Sequence, residues 1–242
     1  MQNDQARFFG ERTAAVYDEL NGVALPAMVD VLAELAGSGR ALELAIGTGR
    51  VALPLAARGI RVEGIDISPA MVDRLRAKPG GTALDVRIGD FADVAVDGSF
   101  TLIYVVFNTL FNLGSQDDQV RCFENVATHL GDDGVFVVET YVPSFLHRLR
   151  DGQYVDAEAV TADEVRLDVL RHDPVGQRID ENHVSLSARG VQLFPVHQRY
   201  AWPSELDLMA RIAGLHLRHR WADWTRSPFT DRSESHVSVW GR

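Results

Sequence analysis

The hydrophobic pattern between residues 40 and 142 alternates short apolar runs with amphipathic stretches. Short apolar runs are typical of buried strands, and apolar positions three or four residues apart are typical of helices. The predicted strands, in chain order, are "RALELAI", "IRVEGIDI", "ALDVRIGD", "FTLIYVVFN" and "GVFVVETYV". Helices are predicted over residues 50–58, 68–78 and 116–130, the second with Ser68 as N-cap and Pro69 at its first position. This alternation predicts a mostly parallel sheet with right-handed crossovers.

The pattern changes after Pro143. The segments "DEVRLDVLRHD", "QRIDENHVSLSARG" and "VQLFPVHQRYAW" predict three consecutive antiparallel strands joined by tight turns. A helix over "SELDLMARIAGL" and two last strands, around 215–222 and 235–241, are expected to follow. A three-strand meander alone has too little core to be stable. Residues 150–202 are therefore interpreted as a small sheet inserted into one α/β domain.

The composition is that of an ordinary globular protein of one or two domains, with 242 residues, 46% of them hydrophobic and 24% charged. No apolar run approaches the roughly 18 residues of a membrane span. The amino end, "MQNDQARFFGER", lacks the basic and apolar regions of a signal peptide. A cytoplasmic protein without a membrane partner is therefore expected.

Charge and cysteine content narrow the function classes further. The net charge of −10, from 34 acidic against 24 basic residues, argues against a nucleic-acid partner. A protein that binds nucleic acid is expected to carry a stripe of basic residues on its surface. Cys122 is the single cysteine and excludes an internal disulfide or a zinc cluster built on cysteine. It is expected to be a buried, inert thiol. Lys78 is the only lysine, which we interpret as a compositional bias towards arginine.

A glycine turn follows the first predicted strand. Residues 47–52 read G-x-G-x-x-A, a permitted form of the dinucleotide-binding fingerprint, and Asp66 follows Gly47 by 19 residues, near the spacing of a ribose-binding acid. Glycine is favoured in such a turn because the backbone must approach its ligand closely. The turn alone leaves open a nicotinamide cofactor or another cofactor that contains adenosine.

Carboxylates at successive strand ends separate these cofactors. Glu43 would repel a pyrophosphate, whereas it would attract the ammonium of a methionyl group. Asp66 can accept hydrogen bonds from both ribose hydroxyls. In "IGDFADV", Asp90 can accept from an adenine amino group, with Phe91 against the ring face. A nicotinamide site does not require this succession.

With these residues the chain resembles the class I, seven-stranded S-adenosylmethionine-dependent methyltransferases over about residues 10–142 and in its final helix and strands. "ELAIGTG", "EGIDISPAM" and "IGDFADV" are similar to the first, second and third motifs of that family. Ala45 departs from it, standing where many members have the first glycine of E-x-G-x-G-x-G. "RTAAVYDEL" resembles the lid helix of small-molecule members, in which a tyrosine faces the cofactor.

The resemblance implies a Rossmann-like, mostly parallel seven-stranded sheet with helices on both faces, plus a small antiparallel β insert after the fifth strand. It implies one methyltransferase domain over residues 1–242, with lid helices in 1–35 and the insert, 150–202, over the acceptor pocket. The implied cofactor is S-adenosyl-L-methionine, with S-adenosyl-L-homocysteine as product. The implied cofactor-binding residues are Tyr17, Glu43, Ala45, Gly47, Gly49, Asp66, Ile67, Met71, Asp90, Phe91 and Phe107.

Acceptor-site candidates follow from the rule that ligands bind beyond the carboxyl ends of the strands of an α/β sheet. Small-molecule members, including sugar N-methyltransferases of antibiotic biosynthesis, carry antiparallel strands as a roof over this pocket, and this chain is similar in layout. The indicated pocket residues are Phe107, Asn108, Glu139 and Tyr141, of which the last three are the candidate catalytic residues. Arg199, Tyr200 and Trp202 are secondary candidates.

Glu139 is expected to orient the acceptor by accepting a hydrogen bond from its N–H or O–H, because a buried carboxylate is costly unless it is paired or used. In the alternative, Glu139 bonds only to backbone or to an arginine such as Arg199 and holds the roof in place.

No metal is expected in the reaction. His216 and His219 lie three residues apart on a predicted strand and point to opposite faces. The insert's histidines, which we interpret as dispersed surface or structural residues, are His172, His183 and His197.

The segment "VVFNTLFNLGS" lacks the Asn/Asp-Pro-Pro-aromatic signature of methyltransferases that modify nucleic-acid amino groups. The sequence therefore predicts metal-free methyl transfer by direct displacement to nitrogen, oxygen or carbon of a small molecule, such as a secondary metabolite. Two alternatives stay open: a protein that binds S-adenosylmethionine without transferring methyl, and an NAD-dependent oxidoreductase.

Asp66→Ala tests the cofactor assignment. We expect the wild-type protein to bind S-adenosylmethionine with roughly micromolar affinity, about −8 kcal/mol. The variant should lose about 1.5–3 kcal/mol of that affinity, because a charged acceptor of the hydroxyl groups is removed. Isothermal titration calorimetry measures both values, and an unchanged dissociation constant would remove Asp66 from the site.

Overall fold

A computed structural model describes residues 10, 14, 17–19 and 22–242. The predicted lid segment, 1–35, therefore lies partly outside the described residues. The α-helices are α1 (Pro26–Ala36), α2 (Ala52–Ala56), α3 (Pro69–Arg76), α4 (Gln116–His129) and α5 (Pro203–Ile212). Short 3₁₀ helices span Gly81–Ala83, Thr109–Asn112 and Pro143–Arg148. The strands are β1 (Arg40–Leu44), β2 (Arg61–Asp66), β3 (Asp85–Ile88), β4 (Phe100–Val105), β5 (Leu130–Tyr141), β6 (Gln153–Val160), β7 (Glu164–Asp173), β8 (Arg178–Ser187), β9 (Gly190–Arg199), β10 (His216–Trp221) and β11 (Ser235–Gly241).

The larger sheet has seven strands in the order β10-β11-β5-β4-β1-β2-β3. Strands β1 to β5 pair in parallel, whereas β11 pairs antiparallel with both β5 and β10. The predicted Rossmann-like sheet and both last strands are therefore confirmed. Because β1, β2 and β4 are parallel, their carboxyl ends lie at the same edge of the sheet. From β1 the chain continues outwards to β2 and β3, and from β4 it continues in the opposite direction to β5, so the order of the strands switches between β1 and β4.

The core lies on both faces of this sheet, because side chains alternate along each strand. In β5, Phe136 and Val138 join the cluster that includes side chains of α4 and α5. Their neighbours Val135 and Val137 join the opposite cluster, to which α1 and α2 contribute. Central strands covered on both faces explain the continuous apolar runs in the sequence.

Local signals also agree with the structure. Pro69 begins α3, and the N–H of Met71 donates to the Ser68 hydroxyl at 3.3 Å, which confirms the predicted N-cap. Cys122 is fully buried, and burial raises the pKa of its thiol, as expected of an inert cysteine. Within the described part of the chain, no helix is both long enough and apolar enough to cross a membrane.

The insert is a separate antiparallel sheet of four strands in the order β6-β7-β8-β9. The prediction of three strands was wrong because it missed β6. The residues of β6, "QYVDAEAV", are mostly exposed and mix small, acidic and apolar side chains, so no clear alternation marks them as a strand. Its conformation is fixed by antiparallel pairing with β7, which is a tertiary contact.

Arg199 anchors the insert to the main domain at the end of β9. Its side chain is buried, and its guanidinium donates to Gln119 at 2.6 Å, to Gln177 at 3.0 Å and to Glu205 at 2.6 Å. Gln119 lies on α4 and Glu205 on α5, so one cation joins the insert to two helices of the core.

Candidate active site

The turn after β1 is held in left-handed backbone conformations. Ala45 has a φ of 57°, which normally costs a residue with a Cβ about 1–2 kcal/mol. This is the position where the sequence departs from the glycine of the resembling family, so the departure carries a conformational cost. At Gly49, with a φ of 76°, an added Cβ would lie 3.0 Å from the Leu75 side chain. Gly49 therefore allows the turn to pack closely against α3.

Asp66 organises the same turn from the end of β2. Its carboxylate is buried and accepts hydrogen bonds from the N–H of Gly47 at 2.7 Å and from the N–H of Ser68 at 2.8 Å. Burial raises the pKa of Asp66, and the two backbone donors act against that rise. Asp66 thus fixes the glycine turn, and its predicted role towards a ribose stays a prediction.

Glu43 is a buried carboxylate beside this turn, with only 4% of its surface exposed. Burial raises its pKa to about 8, although a hydrogen bond from the Tyr104 hydroxyl at 3.0 Å and the nearby Arg50 guanidinium lower it. Asp66 raises it further. Since the surrounding groups compensate this charge only partly, the position favours a bound cation.

Tyr17 and Asp18 belong to the part of the lid segment that the structure describes. Burial raises the pKa of Tyr17, and its electrostatic neighbours include Arg50, Glu43 and Asp66. Tyr17 therefore lies beside the predicted cofactor residues.

Asp18 connects the lid segment to the glycine turn. It accepts a hydrogen bond from the Thr48 hydroxyl at 2.6 Å and pairs with Lys78 at 2.7 Å. Lys78 also donates to the backbone oxygen of Thr48 at 2.8 Å. The single lysine, which was expected to reflect only compositional bias, thus ties the lid segment to the turn.

The remaining predicted cofactor residues lie around the turn. The N–H of Gly89 donates to the Asp66 backbone oxygen at 2.9 Å, which brings Asp90 next to the end of β2. The Asp90 carboxylate accepts from the N–H of Ala92 at 2.9 Å. Phe91 is 7% exposed and packs in the core.

The two predicted cofactor residues that follow Asp66 in the second motif are Ile67 and Met71. Ile67 lies directly after β2, and Met71 lies in the first turn of α3. The contacts of these residues with adenosine stay predictions.

The turn after β4 is unusual because Phe107 and Asn108 both have positive φ, 61° and 60°. Three hydrogen bonds tie it to β5: the N–H of Phe107 donates to Glu139 Oε2 at 2.9 Å, the N–H of Asn108 donates to the Glu139 backbone oxygen at 3.2 Å, and the N–H of Tyr141 donates to Asn108 Oδ1 at 2.7 Å. The Arg50 guanidinium lies 4.3 Å from the centre of the Phe107 ring. The four predicted pocket residues thus form one hydrogen-bonded unit, which leaves Phe107 44% exposed at the edge of the sheet.

Glu139 differs from its prediction in one respect. It is partly exposed, so the expectation of a buried carboxylate was wrong; it lies near the end of β5, where the sheet opens towards the insert. Besides the Phe107 bond, Glu139 Oε1 accepts from the indole N–H of Trp224 at 2.7 Å. Both carboxylate oxygens of Glu139 therefore accept hydrogen bonds from donors of the protein itself. Direct contact of Glu139 with an acceptor stays a prediction.

A cavity of about 600 Å³ lies between the carboxyl edge of the larger sheet and the insert. Tyr17, Phe107, Asn108 and Tyr141 line it from the side of the larger sheet. The secondary candidates, Arg199, Tyr200 and Trp202, are not among its lining residues. For Arg199 the reason is the buried network that anchors the insert.

The insert contributes polar lining residues that sequence reasoning missed: Glu158, Arg166, Asp168, Glu181 and His183. They occupy the face of the antiparallel sheet that lines the cavity, and His183 was expected to be a surface or structural histidine. His183 is not an isolated histidine, since its Nδ1 lies 2.6 Å from Asp168 Oδ1. One polar atom from each of Asp168, Glu181 and His183 lies within 4.8 Å of the others, so the three side chains form a single cluster.

Comparison with known proteins agrees with this geometry. Residues 41–134 match a family described as a methyltransferase domain. The chain is 38% identical to the CcbJ methyltransferase from Streptomyces caelestis, with a TM-score of 0.89 over 97% of each chain. It is 28% identical over 202 residues to the cypemycin N-terminal methyltransferase of a Streptomyces species, covering 82% of this chain and 81% of that protein. CalS10, an amino pentose methyltransferase from Micromonospora echinaspora solved with S-adenosylmethionine, is 22% identical and has the same fold, with a TM-score of 0.69 over 94% of this chain and 95% of that chain.

Glu43→Gln should change how stability depends on pH in the ligand-free protein. The pKa of Glu43 rises from 4.5 to about 8 on folding, so the folded protein retains a proton that the unfolded chain has released between these values. Wild-type stability is therefore lost as pH rises through this window, by at most about 1.4 kcal/mol per pH unit. The amide of the variant cannot titrate, and its oxygen can still accept the hydrogen bond from the Tyr104 hydroxyl. The stability of Glu43→Gln should therefore increase relative to that of the wild type as pH rises.

Urea unfolding at several pH values measures this difference. Glu124→Gln is the control, because it removes a carboxylate from the exposed side of α4. Parallel stability curves for wild type and Glu43→Gln would contradict the prediction.

Proposed function

This chain belongs to the class I S-adenosylmethionine-dependent methyltransferases, and we propose that it methylates an amine nitrogen of a small molecule held in the cavity between its two sheets. S-adenosyl-L-methionine is its cofactor, which sets aside the nicotinamide alternative. One observation carries the choice of an amine: the insert lines the cavity with the carboxylates of Glu158, Asp168 and Glu181.

The residues at the carboxyl edge fit this cofactor. Glu43 is a buried carboxylate with a raised pKa, which suits the methionyl ammonium. Each Asp66 oxygen accepts one backbone hydrogen bond and retains a lone pair for a ribose hydroxyl. When bound, S-adenosylmethionine supplies a methyl group already activated by its sulfonium, so that alignment and exclusion of water govern the rate.

The cavity suits a small acceptor. Its volume of about 600 Å³ falls in the range of small-molecule sites, about 300–1,000 Å³. Aromatic side chains line it from both sheets, among them Phe107, Tyr141, Tyr154 and Phe194. The names of the cypemycin N-terminal methyltransferase and of the amino pentose methyltransferase CalS10 point to amine acceptors in those relatives. These names support an amine in a secondary metabolite as the acceptor here.

Charge also favours an amine. Arg166 and His183 are the basic side chains that line the cavity, against three carboxylates. A cationic ammonium would be attracted strongly to these carboxylates, because water is partly excluded and the effective dielectric constant is low. Once neutral, an amine attacks without a strong base, so such a site needs only to bind the cation and accept one proton.

The chain's own residues align the acceptor. Tyr17 lies near Glu43 and Asp66 and also lines the cavity, so it marks the junction of the cofactor and acceptor sites. The Tyr141 hydroxyl donates to Gln198 Oε1 at 2.9 Å, which fastens the edge of the larger sheet to β9. Phe107 presents its ring to the same space. These contacts enclose the acceptor and limit the entry of water.

A screen of amines, phenols and indoles with methyl-labelled S-adenosylmethionine tests the proposal. We expect amines to gain one labelled methyl group, with one S-adenosylhomocysteine formed for each, by mass spectrometry. Methylation of phenols or indoles alone would contradict an amine acceptor. Cofactor binding without any S-adenosylhomocysteine would favour a protein that binds the cofactor and transfers no methyl.

Glu139→Gln separates the two roles considered for Glu139. The amide offers one acceptor oxygen, so the Phe107 N–H or the Trp224 indole loses its partner and about 1–3 kcal/mol of stability should be lost. If Glu139 only holds the turn, the single-turnover rate per folded molecule should stay within about twofold of wild type. A much lower rate with unchanged cofactor affinity would show contact with the acceptor.

Trp224→Phe is the matched control, because it removes the indole donor and leaves the hydrogen bond that the Phe107 N–H donates to Glu139. Melting temperature, cofactor dissociation constant and single-turnover rate are measured on both variants with an acceptor from the screen.

A further inference from the structure

The carboxylates that line the cavity from the insert differ in their partners. Asp168 Oδ1 lies 2.6 Å from His183 Nδ1, and Glu158 lies 3.6 Å from Arg166 Nε. The Glu181 carboxylate, by contrast, has no hydrogen-bond or ion-pair partner among the residues that the structure describes, although its backbone pairs with β7 and β9. It is thus the carboxylate of the cavity whose charge is left for a ligand.

Glu181 also lies at the apolar end of this roof. In the sheet register it stands between Leu170 on β7 and Val196 on β9. Leu170 is buried in the core. Burial raises the pKa of Tyr141, and the charge of Glu181 raises it further. The Glu181 carboxylate is therefore near Tyr141, the last residue of β5. Glu181 therefore faces the strand ends where the cofactor residues lie.

The groups around Glu181 control its proton affinity. They are Glu158 from β6, Arg166 and Asp168 from β7, His183 from β8 and Tyr141 from β5. Burial raises the pKa of Glu181; His183 lowers it, and Asp168 and Glu158 raise it further. A carboxylate with a raised pKa is a better proton acceptor near neutral pH.

We propose that Glu181 recognises the cationic nitrogen of the acceptor and accepts its proton before methyl transfer. This inference rests on the proposed function and names a residue for it. The N–H bond of the ammonium breaks, the proton forms an O–H bond on Glu181, and the electron pair stays on nitrogen as the nucleophile. His183, 46% exposed and oriented by Asp168, leads the proton on to solvent.

A binding experiment tests recognition without turnover. The S-adenosylhomocysteine complex is titrated in a calorimeter with three matched pairs: benzylamine and benzyl alcohol, cyclohexylamine and cyclohexanol, and tyramine and 4-ethylphenol. Wild type should bind the ammonium member of a pair at least about tenfold more tightly. Glu181→Gln should lose that preference, because its amide keeps an acceptor oxygen but lacks the negative charge that attracts the cation.

Glu164→Gln is the matched control. It removes the same charge from the same sheet, where Glu164 Oε1 accepts from the Ser185 hydroxyl at 2.6 Å and Glu164 does not line the cavity. The control should keep the ammonium preference. A wild type without the preference, or a Glu181→Gln variant that retains it, would overturn the proposal.

A kinetic experiment tests proton acceptance. With an amine from the screen, Glu181→Gln should lower kcat/KM at neutral pH by at least about tenfold, and the loss should shrink at higher pH, where more of the amine is already neutral. Cofactor affinity should not change. A lower melting temperature with an unaltered pH profile would reduce Glu181 to a structural role and overturn the proposal.

Two further outcomes are distinguishable. If EDTA abolishes activity and Mn²⁺ restores it, with both effects lost in Asp168→Asn, the cluster holds a metal and Glu181 is not the proton acceptor. If wild type methylates no amine, the proposed function fails, while the binding experiment still decides whether Glu181 recognises an ammonium.

Discussion

The site depends on the way in which the fold compensates carboxylates at the carboxyl edge of its parallel sheet. Helices cover both faces of that sheet, so a charge near the end of a central strand loses water and must find donors. Asp66 finds them in the backbone of the glycine turn, at 2.7 and 2.8 Å. The bonds that stabilise its charge thereby set the shape of the turn.

At Glu43 the surrounding groups compensate the cost of burying the carboxylate only in part. Its hydrogen bond from Tyr104 and the nearby Arg50 do not offset its burial, and its pKa stays raised to about 8. A cation bound at this position would stabilise the ionised form of Glu43, and we propose that the methionyl ammonium of the cofactor is this cation. Glu181, on the antiparallel insert, is a second carboxylate whose pKa is raised by burial, and it lines the cavity between the two sheets.

The two sheets are coupled through the turn after β4. Left-handed conformations at Phe107 and Asn108 each cost of order 1–3 kcal/mol, and they persist because the surrounding structure holds them. Glu139 and the Asn108 side chain provide that restraint, and the Tyr141 hydroxyl continues the connection to Gln198 on the insert. The restrained turn thus places the Phe107 ring at the wall of the cavity.

The amino-acid sequence by itself determined the order of strands and helices, the seven-stranded sheet and the presence of the insert, because hydrophobic periodicity and turn residues are local. It also placed Glu43, Asp66 and Phe107 at strand ends, since parallel strands bring their carboxyl ends to one edge. It missed β6, which lacks a local signal, and the role of Lys78, which depends on a contact with Asp18. Only the tertiary structure decided that one polar face of the insert closes a cavity. An alternating strand has the same sequence whether its polar face meets water or a substrate, so the environment of Glu181 exists only once the two sheets are packed together.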